Sequence, residues 1–262
     1  MLSSTYLINM TVNKKVVVFA HSFVGLEIIK YLVEHYSDDL LQVVVMQKES
    51  DIYTYAKNKG IKILIYGSNE YINFISLNEF DTGFLIWWPK IISKELITKA
   101  KNGFINTHPS FLPFCRGKHY NFWTLVKNCK FGVTLHYVDE GIDTGDIICQ
   151  KAIEYDWLDN GQTLFEKARS EMLNLFKEFY PKYREDKITR IKQDLKEISY
   201  HHSSEIDIMS RLDLNKNYLL KDILNLLRAR TFSGHPACFF EDPETKKEYE
   251  VTISIREKNK DK

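Results

Sequence analysis

The sequence predicts an α/β protein built on a parallel sheet, and three observations carry that reading. Short apolar, strand-forming runs recur at Val16–Ala20 and at residues 41–46, 62–65, 84–88 and 103–106. Stretches of helical periodicity separate them, which is the pattern of βαβ units. The runs are predominantly apolar rather than alternating, as expected where both faces of a sheet are covered.

Taken in order, VVVFA (Val16–Ala20) is the first strand, and His21, Ser22 and Phe23 lead into a helix over residues 24–33. The second strand is 41–46. A helical stretch at 51–59 precedes the third strand, 62–65. The fourth, 84–88, is followed by Pro89. The fifth, 103–106, is ended by Thr107-His108-Pro109. Residues 131–138 (FGVTLHYV) alternate, and 146–153 reads as their partner across the turn at 139–145. Over 161–180, Leu164, Phe165, Ala168, Met172, Leu175, Phe176 and Phe179 recur at spacings of three and four, the mark of an amphipathic helix; Pro181 is expected to stop it. Residues 182–217 are polar and read as a connector with a short amphipathic piece. A second helix at 219–229 precedes strands at 239–240 and 249–255, turned by Asp242-Pro243. The lead segment 1–15, in which Met10 is an alternative start, and the charged tail 257–262 read as loose.

Composition narrows the function. The 262 residues are 44% hydrophobic with 36 basic against 35 acidic side chains, a globular composition of net charge +1. Binding to long nucleic acid through phosphates calls for a basic excess that is not there. No apolar run approaches the roughly 20 residues that span a bilayer, and no secretory leader is visible. The four cysteines (Cys115, Cys129, Cys149, Cys238) form no CxxC pair and read as free thiols in a reducing cytoplasm. No short ligand pair has metal-site spacing.

Sheets of this kind bind ligands at the carboxyl ends of their strands. The first turn, AHSFVG, lacks the three glycines of a dinucleotide fingerprint, and no GxxxxGK[ST] loop occurs. At the end of the fifth strand, Asn106 and His108 are two apart in extended chain and project to one side. An imidazole beside a carboxamide suits acyl transfer: one takes a proton, the other donates to an oxyanion. The alternative is a histidine that merely satisfies a strand end. The loop Asp139-Glu140-Gly141-Ile142-Asp143-Thr144-Gly145 offers a carboxylate to orient His108, or is a common Asp/Gly turn. Trp87 and Trp88 face opposite ways, so one is core. Arg116-Gly117-Lys118-His119 clusters cations above a sheet end, as a phosphate grip or as plain surface.

Together FINTHPSFLPFCRG and FGVTLHYVDEGIDTGDII, in this order after a βαβ region, resemble the formyltransferases that use N10-formyltetrahydrofolate. The likeness spans roughly residues 16–154. It implies a Rossmann-like parallel-sheet formyltransferase domain (1–181), a connector (182–217) and a small C-terminal helix with a β-hairpin (218–262). It carries the family's catalytic set onto Asn106, His108 and Asp143. It also places folate against Ile86, Trp87 and Trp88 and against Asp139, Glu140 and Gly141. GKHYNFW and RARTFSGHP resemble the sugar N-formyltransferases, especially those acting on dTDP-4-amino-4,6-dideoxyglucose. That implies a cytoplasmic, metal-free enzyme serving surface polysaccharide (O-antigen, lipopolysaccharide) synthesis, with folate as cosubstrate and no nucleic-acid or membrane partner. Lys90, Arg228 and Arg230 become candidates for the diphosphate, and Phe232 or His235 for the base. For the two arginines, helix-end carbonyls are the competing partners. The implied chemistry is direct attack by a neutral amine. Asn106 holds the oxyanion, and His108 takes the proton or, when charged, steadies the oxyanion. Asp143 orients the imidazole and an ordered water. A homodimer through the terminal hairpin (Tyr249, Val251, Ile253, Ile255) is expected because its apolar edge needs cover. Competing readings are methionyl-tRNA formylation and a folate- or nucleotide-binding protein without catalysis.

Overall fold

The computed structural model describes residues 13–258 and divides into two compact units. The lead segment to residue 12 and the last four residues of the tail lie outside the described range. The first unit runs to Gly103 and includes Tyr180–Ile188. Its strands are β1 (Val16–Ala20), β2 (Leu40–Val45), β3 (Ile63–Ile65) and β4 (Thr82–Ile86). They pair in parallel in the order β3-β2-β1-β4. Helices α1 (Ser22–Tyr36), α2 (Asp51–Asn58) and α3 (Asn69–Leu77) connect them, with a short α4 (Lys94–Ile97) after β4. Every residue of β1 and β4 is buried, which is why those runs carry no alternation. Ser50, Ser68 and Ser93 cap α2, α3 and α4 by accepting from the third residue on.

The second unit holds β5 (Phe104–His108), the two-residue β6 (Arg116–Gly117) and α5 (Tyr120–Lys127). Strands β7 (Gly132–Tyr137) and β8 (Ile147–Ala152) follow. The order β5-β7-β8 is antiparallel at both pairings, so the fifth strand has an antiparallel neighbour in β7. It also runs two residues further than expected and includes His108. Because an antiparallel ladder sets residues face to face, Asn106 lies opposite His136 and His108 opposite Thr134.

Helix α6 (Gly161–Arg184) departs from expectation by continuing through Pro181. Its last turn is fixed by tertiary contacts around Asp39, which is 1% exposed. Tyr180 donates its hydroxyl to Asp39 Oδ2 at 3.0 Å, and Arg184 Nε pairs with the same oxygen at 2.8 Å. Tyr180 and Tyr183 also pack on Phe84. Those contacts outweigh the one hydrogen bond that proline removes.

The expected connector is ordered. It carries β9 (Tyr200–His201), which pairs in parallel with β6, and α7 (Glu205–Ser210). Helix α8 (Leu220–Ala229) and the hairpin β10 (Cys238–Glu241) and β11 (Glu248–Val251) complete the unit. Among the described residues, no helix is long and apolar enough to cross a membrane.

Candidate active site

Within the second unit, β5, β7 and the loop after β7 bring four polar side chains to one point. Asp143 is the hub. Its Oδ2 accepts from the Gly117 backbone N–H at 2.9 Å and lies 3.4 Å from His108 Nδ1. Its Oδ1 accepts from Asn106 Nδ2 at 3.3 Å and lies 3.5 Å from His136 Nε2. Asn106 and His108 therefore meet Asp143, which is distant from both in the chain. The strand period of two puts Asn106 and His108 on the same side of β5.

His136, within GVTLHY of β7, is the fourth member, and the motif alone assigns it no role. Its Nδ1–H donates to the Tyr137 carbonyl at 2.8 Å, which leaves Nε2 as an acceptor for Asn106 Nδ2 at 3.1 Å. The signal that finds it is alternation in FGVTLHYV once β7 is set beside β5. Both Asn106 N–H groups are then engaged, one by His136 and one by Asp143.

His108 is 4% exposed. Its Nε2–H points at the Cys115 carbonyl, 3.2 Å away, so Nδ1 is the nitrogen that gains or loses a proton. Burial lowers its pKa below the ordinary imidazole value, opposed by the Asp143 charge. Burial alone would raise the Asp143 pKa. The charge on His108, the His136 contacts and the Gly117 N–H reverse that and hold the carboxyl well below its usual range. Asp143 thus faces the imidazole as a carboxylate. A proton arriving at Nδ1 turns a lone-pair contact into an ion pair.

Backbone geometry supports the cluster. Asp143 and Cys115 adopt the left-handed region at φ 54° and 53°, which non-glycine residues enter only when surroundings hold them there. Gly117 has φ 88°, and a Cβ there would run into the His201 carbonyl. The Cys115 thiol is buried 3.6 Å from Cys129 Sγ; that neighbour and burial push its pKa up, so it is a poor nucleophile.

The remaining candidates fall elsewhere. Arg116 is buried against Gln193, with Nη2 donating to its Oε1 at 2.6 Å, so it is no phosphate grip. Arg228 is 4% exposed; Nε donates to Asn225 Oδ1, and Nη1 to the carbonyls of Asp156 and Asp159 at 2.5 and 3.0 Å. These contacts tie α8 to the loop before α6. Its guanidinium also lies 4.6 Å from the Trp157 ring, on the wall of a cavity of about 420 Å³. Arg230 pairs with Asp207 at 2.9 Å. Phe232 and His235 meet edge to face at 4.6 Å. In the loop after β7, Asp139 Oδ1 accepts from Gly141 N at 3.1 Å, and Glu140 is exposed beside it. In the first unit, Ile86 and Trp88 are buried, Trp88 standing 5.4 Å edge-on to Phe19. Trp87 has φ 48°, an outlier for so bulky a residue, and Lys90 is exposed.

Comparison with known proteins follows this geometry. Residues 32–179 match the formyl transferase family, and residues 205–257 match the N-formyltransferase dimerization C-terminal domain. The chain is 37% identical over 161 residues to methionyl-tRNA formyltransferase of Thermodesulfovibrio yellowstonii, covering 60% of this chain and 51% of that one. It therefore spans about half the length of the curated relatives it matches. Among solved structures, a 4-N formyltransferase from Francisella tularensis superposes with TM-score 0.79 at 23% identity, covering 93% of this chain and 98% of that one. The N-formyltransferase of Helicobacter canadensis, solved with folinic acid and dTDP-3-aminofucose, gives 0.72 at 23%, covering 89% and 86%. With its matched residues spanning more than half of its length and the fold agreeing, the chain belongs to the formyl transferase family.

Proposed function

We propose that the protein transfers a formyl group from N10-formyltetrahydrofolate to the amino group of a nucleotide-linked dideoxy amino sugar, dTDP-4-amino-4,6-dideoxyglucose being the first candidate. The carrying observation is the convergence of Asn106 and His108 on the Asp143 carboxylate. Near-complete overlap with two solved N-formyltransferase folds, one of them holding a dTDP-amino sugar, favours a sugar nucleotide over a tRNA. On this reading the product serves surface polysaccharide such as O-antigen.

The neutral amine attacks the formyl carbon, forming the new C–N bond and leaving charge on the carbonyl oxygen. Asn106 turns one N–H onto that oxygen, releasing Asp143, its longer contact at 3.3 Å. The amine proton passes to His108 Nδ1, where Asp143 stabilises it. Collapse then breaks the bond to the folate nitrogen, which takes up a proton, yielding a formamide and tetrahydrofolate. Arg230, Phe232 and His235 are assigned to the sugar nucleotide. Ile86, Trp87, Trp88, Lys90, Asp139, Glu140 and Gly141 keep the ligand roles the family likeness implies, each testable by its own substitution.

The test is to incubate the protein with N10-formyltetrahydrofolate and dTDP-4-amino or dTDP-3-amino dideoxy sugars and weigh the products. A gain of one formyl group on one of them is expected. No gain on any amino sugar nucleotide, with formylation of initiator methionyl-tRNA instead, would move the assignment to the second reading, which the 37% identity to a tRNA enzyme favours.

A further inference from the structure

The segment from Ile191 to His201 is polar and looks like a linker, yet it is bonded to both loops of the site. Ile191 exchanges two backbone hydrogen bonds with Ile147, at 2.8 and 2.7 Å. Ser199 Oγ accepts from the Cys115 N–H at 2.8 Å, and its carbonyl accepts from the Arg116 N–H at 2.9 Å. β9 then pairs with β6. Between these anchors lies Gln193, 8% exposed. Its Nε2 donates one hydrogen to the Asp143 carbonyl at 2.8 Å and the other to the Gly145 carbonyl at 2.7 Å. Its Oε1 accepts from Arg116 Nε and Nη2, at 3.2 and 2.6 Å.

One neutral amide thus grips the carbonyls on either side of Thr144, while a buried cation on the strand next to Gly117 holds the amide itself. Asp143 sits in the left-handed region, a conformation that relaxes unless its carbonyl is tied. A glutamate there would keep the Arg116 pair but lose both donors and set a carboxylate against two carbonyls. Only an amide serves both sides.

We propose that Gln193 is a positioning residue for formyl transfer, holding Asp143 so that its carboxylate meets His108 Nδ1 and Asn106 Nδ2 together. This rests on the reading of Asn106, His108 and Asp143 as the reacting set. Misplacing a catalytic group by about an ångström is enough to lower a rate roughly a hundredfold.

The test compares Gln193→Glu and Gln193→Met, the second keeping length without charge so that a folding failure of one leaves the other. Each is measured alone and with Asp143→Asn. Turnover in the single variants is expected to fall ten- to a hundredfold, with KM for both substrates within about twofold. In the Asp143→Asn background, Gln193→Met should add little further loss, because the two act as a unit. NMR titration of His108 without substrate gives a readout that needs no activity. The charged or titratable groups that bear on His108 are Asp143, His136 and Lys118. Moving Asp143 away lowers the His108 pKa in Gln193→Met, as Asp143→Asn does. Folded variants with native turnover and a native His108 titration would overturn the proposal, as would fully additive losses. If Asn106→Ala and Asp143→Asn also keep full activity, it is the reading of the reacting set that fails.

Discussion

At the scale of single residues, the amide of Asn106 is the informative group. A donor that serves an oxyanion must have a hydrogen to give, and both of its hydrogens are engaged, by His136 at 3.1 Å and Asp143 at 3.3 Å. These contacts hold the side chain beside the reacting position before any ligand arrives, and only the longer one, to Asp143, is given up when charge develops on the carbonyl oxygen. His136 supports this only as the Nδ1–H tautomer, which the Tyr137 carbonyl enforces. Removing one oxyanion donor costs about 2.7–4 kcal/mol in acyl transfer. Asn106→Ala is therefore expected to lower turnover a hundredfold or more while thermal stability, followed by circular dichroism, changes little, since the side chain is only half-buried. Turnover within a few-fold of native would remove Asn106 from the role of donor.

At the scale of elements, helix α6 illustrates tertiary packing overriding a local breaker. The sequence rule that proline ends a helix is correct about the lost hydrogen bond and silent about Asp39, a carboxylate more than a hundred residues away that orders the last turn. Arg184 neutralises that buried charge at 2.8 Å. Breaking a buried pair by removing one partner costs about 3–5 kcal/mol. Asp39 keeps the Tyr180 hydroxyl and the Lys14 N–H, at 3.0 Å each, so Arg184→Met should destabilise by the lower end of that, about 3 kcal/mol. Urea unfolding with an unchanged m-value would measure it, and a loss under 1 kcal/mol would contradict the account. The same contrast explains what the sequence made legible. β1 is readable because burial on both faces writes itself as an unbroken apolar run, and Asn106 with His108 because a strand has a period of two. The bonding of 191–201 leaves no such trace. Its order comes mainly from backbone pairs with Arg116, Lys118 and Ile147, and a backbone pair places no demand on side-chain type. Gln193 is one polar residue in a polar stretch, and only its four hydrogen bonds give it meaning. Pairing direction was equally hidden at β5, whose residues read alike in parallel and antiparallel ladders.

At the scale of the whole molecule, near-zero net charge and the C-terminal segment bear on what the protein associates with. Thirty-six basic side chains against 35 acidic ones leave no field to gather a polyanion, so affinity for tRNA would have to come from a local patch and fall steeply with salt. Association with a second copy has a more specific basis. The β10–β11 ladder ends where Cys238 meets Val251, yet alternation persists beyond it. Val251, Ile253 and Ile255 are half-buried, while Thr252, Ser254 and Arg256 are exposed. A chain that keeps strand patterning past the end of its ladder offers unpaired N–H and C=O groups beside an apolar row, which is how edges pair between chains. The same region exposes Leu219, Leu220, Ile208 and Tyr249, and residues 205–257 match a dimerization domain. We therefore expect a homodimer at micromolar concentration, burying a surface in the range of stable interfaces, roughly 1,200–2,000 Å² in total. The paired substitution Ile253→Lys and Ile255→Lys sets two charges on that row and should yield a monomer by light scattering. The variant should also keep the native His108 titration, because residues 251–255 share no contact with the Asp143 hub. A native protein that scatters as a monomer under the same conditions would show that this edge is covered in some other way.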